Sequence, residues 1–248
     1  MDWHAREARM RRGEIYHALR VPDDCYIVLR VDGRAFHSYT EKYERPFDPR
    51  FHEHMLRAAE ALTESFVGDL AYMESDECSL VLGPQWGYLG RSVEKLISLT
   101  AATAASAFAV SSGDPVAFDS RVCVYSRLET VLDYLAWRQD DCWRCCVNGW
   151  AYWTARREGM DNRQATQIVD GPSRLKHDFL HQRGINVADV PSWQKRGSCI
   201  LRETYEREGF NPKTQETVMA TRRRFTRCEE LPRGEEFRTF CAQILGSS

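Results

Sequence analysis

The sequence predicts an α+β fold built on a ferredoxin-like, antiparallel sheet with both of its helices on one face. Three observations predict it. Strand-like and helical patterns follow one another in the order β-α-β-β-α-β, which is the order of this split unit. The chain has 248 residues and 43% hydrophobic content, enough to bury a core. Acidic residues also interrupt two apolar runs at the expected strand ends.

The first elements follow from apolar spacing and turn residues. Residues 5–19 are predicted as a leading helix, and residues 25–32 as a buried strand that ends at Gly33. From Phe51 onwards the apolar residues recur at helical spacing until Gly68 ends the run. These apolar positions are Met55, Leu56, Ala59, Leu62 and Phe66. A strand and its crossover helix are therefore expected by residue 68.

A hairpin, a second long helix and a fourth strand complete the unit. The hairpin strands are residues 70–75 and 78–82, the helix is residues 91–110, and the last strand is residues 117–125. In this sheet order the first strand and the hairpin are neighbours. Asp32 and Asp76 are therefore expected to meet, although they are 44 positions apart.

The rest of the chain is predicted as a helical and hairpin appendage. Its helices are expected over residues 129–138, 141–158, a short stretch from Asn162, and 173–182, and its extended segments over residues 197–205 and 216–227 with a turn at Asn211-Pro212. We place the first domain at residues 1–140 and the extension packed on it at residues 141–248. A single domain is the alternative.

Charge is unevenly distributed although the net charge is only −2. Residues 144–248 carry 18 Lys and Arg against 13 Asp and Glu, whereas residues 1–143 carry 16 against 23. An acidic first part suits metal ions, and a basic second part suits a polyanion. The most apolar stretch, residues 96–110, is shorter than a membrane helix requires, and no signal segment opens the chain. We expect a cytoplasmic protein that does not bind membranes.

Nine cysteines without regular spacing favour reduced thiols over a disulfide framework. Cys142, Cys145 and Cys146 resemble half of a zinc site. A structural zinc site needs four ligands, and no second Cys/His pair follows with suitable spacing. Buried thiols on a helix are the favoured interpretation.

The acids at the two strand ends predict a metal site. Carboxylates of Asp32 and Asp76 on adjacent strands can hold two Mg²⁺ ions for a phosphoryl or nucleotidyl transfer. Gly33 lets its backbone approach a ligand, and Arg34-Ala35-Phe36-His37 offers successive N–H groups to a triphosphate. The alternative is a plain turn at each place, but the sheet order joins the two. Basic residues in nearby elements are Arg30, Arg34, Arg45, Arg91 and Lys95.

Four ordered motifs carry a resemblance to a known family. They are Arg30-Val31-Asp32-Gly33-Arg34-Ala35-Phe36-His37, Ser75-Asp76-Glu77, Phe118-Asp119-Ser120-Arg121-Val122 and Trp137-Arg138-Gln139-Asp140-Asp141-Cys142, with Lys195-Arg196-Gly197 further on. The chain resembles the tRNA(His) guanylyltransferase family, whose members include guanylyltransferase-like 3′-to-5′ polymerases. The resemblance implies a palm-like catalytic sheet. It also implies an RNA 5′ end, activated by ATP or as a triphosphate, that is attacked by the 3′-hydroxyl of an incoming nucleotide.

The resemblance also implies residue roles. Asp32, the Gly33 carbonyl and Asp76 would bind two Mg²⁺ ions, with Asp32, Asp76 and Glu77 as the catalytic carboxylates. GTP or another nucleoside triphosphate would lie along Asp32, Gly33, Arg34, Ala35, Phe36, His37, Ser75 and Asp76, with Arg45, Arg91 and Lys95 near its phosphates. The partner would be the 5′ end and acceptor stem of a tRNA, and the assembly a homotetramer or homodimer.

Two departures from the family pattern bear on the substrate. Members dedicated to tRNA(His) carry a His-x-x-Asn type sequence where this chain has the run Cys142 to Asn148. This favours the branch that repairs truncated tRNA 5′ ends with the opposite strand as template, with dedicated guanylyl addition as the alternative. Arg45 also replaces the usual lysine before Pro46, which keeps the charge but changes its geometry.

A basic surface is expected to contact the tRNA backbone, since Lys and Arg dominate phosphate affinity. Its predicted residues are Lys195, Arg196, Arg222, Arg223 and Arg224. A strand with solvated arginines is the alternative for the last three. Two other functions remain open: a nucleotide cyclase, which uses a similar palm and metal pair, and a tRNA-binding protein without catalysis.

Overall fold

One antiparallel sheet of six strands organises the molecule. The computed structural model describes residues 2–211 and 215–246. The strands are β1 (Tyr26–Gly33), β2 (Leu70–Glu74), β3 (Glu77–Leu82), β4 (Phe118–Tyr125), β5 (Ser198–Asn211) and β6 (Glu216–Cys228). Their order is β4-β1-β3-β2-β5-β6. The first four strands in that order form the predicted ferredoxin-like unit, which is confirmed. The hairpin β5–β6 continues the same sheet, because β5 pairs with β2.

Helices cover the sheet on both sides. The α-helices of the described residues are α1 (Trp3–Arg11), α2 (Phe36–Tyr39), α3 (Pro49–Phe66), α4 (Val93–Ser112), α5 (Leu128–Arg157), α6 (Asn162–Asp170), α7 (Ser173–His181), α8 (Ser192–Arg196) and α9 (Glu235–Gly246). The two crossover helices, α3 and α4, lie on one face, as predicted. Helices α5 and α9 lie on the other face.

Strand β1 shows how the two faces are separated. Ile27, Leu29 and Val31 alternate along the strand and are buried with α3 and α4. Val28 points the other way and is buried with α5 and α9. On that second face the Tyr134 hydroxyl of α5 hydrogen-bonds the Ser79 hydroxyl of β3 at 2.7 Å. The central strands are therefore buried on both faces, which fixes their register.

Several boundaries differ from the prediction. The leading helix α1 ends at Arg11, and the two helices expected over residues 129–138 and 141–158 are the single helix α5. The polar pair Arg138-Gln139 interrupts the apolar period there, yet both side chains are buried and satisfied by partners from the sheet side and from Pro232. The expected turn at Asn211-Pro212 lies partly outside the described residues. The division near residue 140 stays a prediction.

Helix α9 is an element that sequence analysis did not predict. Its Phe237, Cys241 and Leu245 recur every fourth residue and are all buried in the core on the second face. That spacing is the signal that could have identified it.

Helix α4 consists of apolar and small residues after a charged first turn that holds Glu94 and Lys95. By length and composition alone it is long and apolar enough to cross a membrane, contrary to the expectation that no segment would reach that length. In the fold, one stripe of it is buried against the sheet and α3. The buried residues are Leu96, Thr100, Ala104 and Phe108.

Position 33 has room only for glycine, because the ring of Phe36 packs against the Gly33 backbone. A Cβ added at Gly33 would lie 2.5 Å from atoms of that ring, and Phe36 is fixed by rings on several sides. We therefore expect Gly33→Ala to destabilise the protein by about 1–3 kcal/mol, as overpacking does. Urea unfolding measures it. Gly87→Ala is the control, because its added methyl meets no atom within 4 Å; equal unfolding midpoints for the two variants would contradict this packing.

Candidate active site

Asp32 and Asp76 lie next to each other where β1 ends and the β2–β3 hairpin turns. The register of β1 with β3 places Asp32 opposite Glu77, the residue after Asp76. The Gly33 amide donates a hydrogen bond to the Asp76 carbonyl at 3.0 Å, which ties the turn to β1. Burial raises the pKa of the Asp76 carboxyl, and the negative charge of Asp32 raises it further. The structure therefore brings the two predicted carboxylates together.

The turn that carries Asp76 is flanked by two buried glutamates. Only Ser75 and Asp76 connect β2 to β3, and Ser75 adopts a left-handed conformation with φ 48°. Glu74 and Glu77 stand directly opposite each other on the two strands, and both are about 5% exposed or less. Like charges in that position repel each other, so the hairpin needs a counterion.

The guanidinium of Arg138 is that counterion. Its Nε donates to Glu77 Oε1 at 2.7 Å and its Nη2 to Glu77 Oε2 at 2.9 Å. Nη2 also donates to the carboxylate of Glu74 and, at 3.1 Å, to Asp141. Arg138 comes from α5 on the second face of the sheet and is 5% exposed. Sequence analysis quoted Arg138 in a motif but assigned it no role, since its burial and its glutamate partners are visible only in the fold.

Arg30 extends the cluster to the first aspartate. Its Nη2 lies 2.6 Å from Glu77 Oε2 and 3.5 Å from Asp32 Oδ2. A continuous series of ion pairs therefore runs from Arg138 through Glu77 and Arg30 to Asp32. Both oxygens of Glu77 are engaged by arginines, a position that fits support of the neighbouring aspartates, and its role as a catalytic group stays a prediction.

The segment after Gly33 forms the short helix α2. Ala35 adopts a left-handed conformation with φ 60° just before it. Phe36 and His37 occupy its first turn, so their N–H groups have no partner within the helix. The Arg34 amide, by contrast, donates to the Ala117 carbonyl at 2.9 Å and is not available to a phosphate. Arg34, Ala35 and His37 are exposed, whereas the Phe36 side chain belongs to the core.

A pocket of about 90 Å³ lies beside Ser75. Arg45, His52, Trp193 and Cys145 are among its lining residues. Arg45 stacks on Trp153 at 4.8 Å, burial lowers the pKa of its guanidinium, and its buried Nε has no hydrogen-bond partner. A cation in this state is suited to an anionic ligand. Sequence analysis predicted Arg45 but missed His52 and Trp193. These two residues lie on α3 and α8, which are far apart in the sequence.

Arg91 and Lys95 do not reach the carboxylates. Arg91 is buried, and its guanidinium donates to the backbone carbonyls of Cys25, Pro84 and Trp86 at 2.7–3.1 Å. Cys25 precedes β1, so this site is roughly 20 Å from Asp32 along the strand. Lys95 is exposed in the first turn of α4, which starts next to Arg91. Their predicted role in phosphate binding is wrong for a physical reason: Arg91 closes a loop at the opposite end of the sheet.

Lys195 and Arg196 are largely occupied by backbone contacts. Lys195 is 9% exposed and donates to the Ala188 carbonyl, and Arg196 donates to the Leu231 carbonyl at 2.8 Å. Both line a pocket of about 340 Å³ together with Arg233. Their role in RNA binding stays a prediction, with this basic pocket as its setting.

Arg222 and Arg224 of β6 are exposed on the outermost strand of the sheet. Arg222 is exposed, and Arg224 pairs with Glu203 of β5 at 2.9 Å. The side chain of Arg223 lies outside the described part of the chain. Negative charges therefore accompany this basic run, and its contact with RNA stays a prediction.

No group of three or more His, Cys, Asp or Glu side chains stands in position to hold a metal within residues 2–211 and 215–246. The candidate metal site accordingly consists of two carboxylates and a backbone carbonyl. Cys142, Cys145 and Cys146 are free thiols on α5. Cys142 and Cys146 are buried, and burial raises the pKa of Cys146 to about 12, so that thiol is protonated and weakly reactive at neutral pH, whereas Cys145 is exposed.

Comparison with known families accounts for most of the chain. The model of the tRNAHis guanylyltransferase family matches residues 7–126, and that of the Thg1 C-terminal domain matches residues 129–234. The tRNA(His) guanylyltransferase of Schizosaccharomyces pombe is 33% identical over 203 residues, 76% of this chain and 78% of its own. The chain belongs to the tRNA(His) guanylyltransferase family. Enzymes of this family are nucleotidyltransferases that work in the 3′-to-5′ direction, and this chain is one of that class.

Solved structures agree with this assignment. A bacterial tRNA(His) guanylyltransferase-like protein in complex with GTP superimposes with a TM-score of 0.73 at 25% identity, and covers 97% of this chain and 99% of its own. The enzyme from Saccharomyces cerevisiae superimposes with a TM-score of 0.70 at 24% identity, covering 85% of this chain and 94% of its own. At this identity the second likeness shows the fold alone, and it agrees with the predicted α+β fold.

His52 makes stability depend on pH. Its ring stacks on Trp193 with centroids 4.2 Å apart, and burial lowers its pKa to about 4. The unfolded chain, with a pKa near 6.5, therefore binds the proton first as the pH falls. The contribution of neutral His52 to the free energy of unfolding is complete above pH 6.5 and is lost as the pH falls towards 4. About 2 kcal/mol of it is lost at pH 5.

We expect His52→Phe, which keeps the stack but cannot titrate, to remove that part of the pH dependence. Chemical unfolding at pH 7.5 and pH 5 measures it for both proteins. His4→Gln, at an exposed histidine, is the control and should behave as the wild type. An unchanged difference between the two pH values in His52→Phe would contradict this assignment.

Proposed function

We propose that this protein adds a guanylyl residue to the 5′ end of tRNA(His) in a Mg²⁺-dependent reaction. The meeting of Asp32 and Asp76 at one end of the sheet, beside Ser75 and Arg45, is the observation that carries the proposal. Relatives from Schizosaccharomyces pombe and Debaryomyces hansenii are named tRNA(His) guanylyltransferases, and they support this choice of RNA and nucleotide.

The donor set fits magnesium. Mg²⁺ prefers oxygen ligands and is commonly bound by one or two carboxylates, with waters and substrate phosphates completing its shell. Asp32, Asp76 and the Gly33 carbonyl are such a set. Burial and then the charge of Asp32 raise the pKa of Asp76, and a divalent cation would relieve the repulsion between the two carboxylates. When bound, two Mg²⁺ ions neutralise phosphate charge and favour ionisation of the attacking hydroxyl.

The remaining groups of the site position the nucleotide and its phosphates. The free N–H groups of Phe36 and His37 and the partly desolvated guanidinium of Arg45 are donors for triphosphate oxygens. GTP and ATP are bound in solved structures of bacterial guanylyltransferase-like proteins, which supports nucleoside triphosphates as the ligands. In the reaction the 3′-oxygen of the incoming nucleotide bonds to the 5′ phosphorus of the RNA. The leaving group is pyrophosphate from a triphosphate end, or AMP from an adenylylated end.

Template-dependent repair of truncated tRNA is the second candidate. The observation that favours it is the run Cys142 to Asn148, which lacks the His-x-x-Asn pattern of dedicated members. The names of the curated relatives weigh in the other direction, so guanylyl addition to tRNA(His) takes first place.

We expect Asp32→Asn and Asp76→Asn each to lower nucleotide addition by about 100-fold or more, because loss of a direct metal ligand exceeds the 10–100-fold cost of an outer-shell change. Thermal unfolding should show folded proteins, with Asp76→Asn no less stable since its repulsion from Asp32 is removed. Asp119→Asn is the control: Asp119 is the register partner of Asp32 on β4 but is half exposed. Near-normal addition by either aspartate variant would refute the proposed site.

The choice of RNA is tested with the purified protein and labelled tRNAs. We expect addition of G to tRNA(His) that lacks its extra 5′ nucleotide, because the sequence relatives are dedicated to that reaction. Truncated tRNAs of other specificity, with each base in turn opposite the gap, are the matched substrates. Addition that follows the opposing base on any tRNA would establish repair instead.

A further inference from the structure

The Ser75-Asp76 turn is held from outside the hairpin by one side chain. Glu74 precedes the turn and Glu77 follows it, and both carboxylates are bound by the guanidinium of Arg138. The same guanidinium is fixed by Asp141 one helical turn along α5. All three glutamate and arginine side chains are 5–6% exposed, so little water competes for these bonds.

We propose that Arg138 is a positioning residue that holds the two metal-binding aspartates at their working separation. This inference rests on the proposed function, since it concerns the same carboxylates. Arg138 acts on Asp76 through the two ends of its turn, and on Asp32 through Glu77 and Arg30. It touches neither the aspartates nor the space in which a nucleotide would bind.

The balance of charge supports a positioning role. The cluster contains three guanidinium groups and five carboxyl groups. The cations are Arg30, Arg138 and Arg144, and the acids are Asp32, Glu74, Asp76, Glu77 and Asp141. The arginines contact every one of these acids except Asp76, so Asp76 is the carboxylate that has no arginine partner. Arg138 thus neutralises the support and leaves the ligands available.

Geometry distinguishes Arg138 from a simple counterion. The planar guanidinium makes two bonds to Glu77 and another to Glu74 at the same time, which a lysine ammonium cannot reproduce from the same helix position. Arg138→Lys keeps the charge and removes this fork. Arg138→Met removes both, and leaves buried Glu74 without its arginine and Glu77 with Arg30 alone, a strongly destabilising change. The lysine variant is therefore the informative one, and the methionine variant tests folding.

The experiment compares wild type, Arg138→Lys and Arg227→Lys. Arg227 is a matched control, because it also joins two glutamates, Glu53 and Glu60 of α3, but from β6 in another part of the sheet. For each protein we would measure Tm, Mn²⁺ affinity by electron paramagnetic resonance without nucleotide or RNA, and the Mg²⁺ concentration for half-maximal nucleotide addition. Steady-state kcat and the KM for GTP complete the set.

We expect Arg138→Lys to bind Mn²⁺ at least tenfold more weakly, to need correspondingly more Mg²⁺, and to lose kcat at least tenfold with little change in the KM for GTP. Arg227→Lys should lose less thermal stability, because its ion pairs are more exposed, and should keep wild-type metal affinity and kcat. Wild-type metal affinity in a folded Arg138→Lys protein would overturn the inference.

Two further outcomes keep this inference separate from the proposed function. If Arg138→Lys and Arg227→Lys lose metal affinity equally, Arg138 contributes only general stability, and the inference fails while the function stands. If wild type binds Mn²⁺ but adds no nucleotide to any RNA, the proposed function fails. The metal affinity of Arg138→Lys then still decides whether Arg138 positions the carboxylates. Should Arg138→Lys not fold, Glu74→Gln replaces it, since this change removes the negative charge from one ion pair of the same clamp.

Discussion

Antiparallel pairing of β1 with β3 is the constraint on which the site depends. It places Asp32 opposite Glu77 and lets the Gly33 amide bond the Asp76 carbonyl, so neither aspartate moves without breaking the ladder. Both strands are central and buried on two faces. A slip of one residue would exchange the side chains directed at the two cores, for example Val28 and Leu29, and bury none of them correctly. Hydrophobic packing thus fixes the separation of two groups that repel each other.

The pairing also creates an electrostatic problem that the second face of the sheet solves. Glu74 and Glu77 are brought together in a buried hairpin, where each charge loses hydration worth several kcal/mol. Arg138 compensates both, and the continuous helix α5 delivers it with Tyr134 bound to Ser79 of β3 one turn earlier. Packing, hydrogen bonding and ion pairing therefore act on the same short hairpin. Helix α5 therefore supports the site on the sheet, although α5 comes after strands β1 to β4 in the sequence.

Local patterns predicted the sheet and its carboxylates, because those signals lie within short segments. Asp32 and Asp76 each end an apolar strand, and the order of elements was enough to bring them together. Contacts over long sequence separation were not predictable in this way. The partners of Arg138 lie 61 and 64 positions away, so nothing local distinguishes its burial from exposure. Arg91 had the charge for a phosphate contact, but its three carbonyl acceptors are visible only in the fold.

The two departures from the family pattern acquire a common setting in the structure. Arg45 and Cys145, separated by 100 residues, line the same pocket beside Ser75. The guanidinium of Arg45 stacks on Trp153, and the backbone carbonyl of Arg45 accepts a hydrogen bond from Arg157. Both partners lie in the last turns of α5. Asp32 and Asp76, by contrast, lie in the sequence motifs that carry the family resemblance. Differences in what this enzyme recognises should therefore arise in the pocket, while the aspartate pair that would bind the metal stays the same.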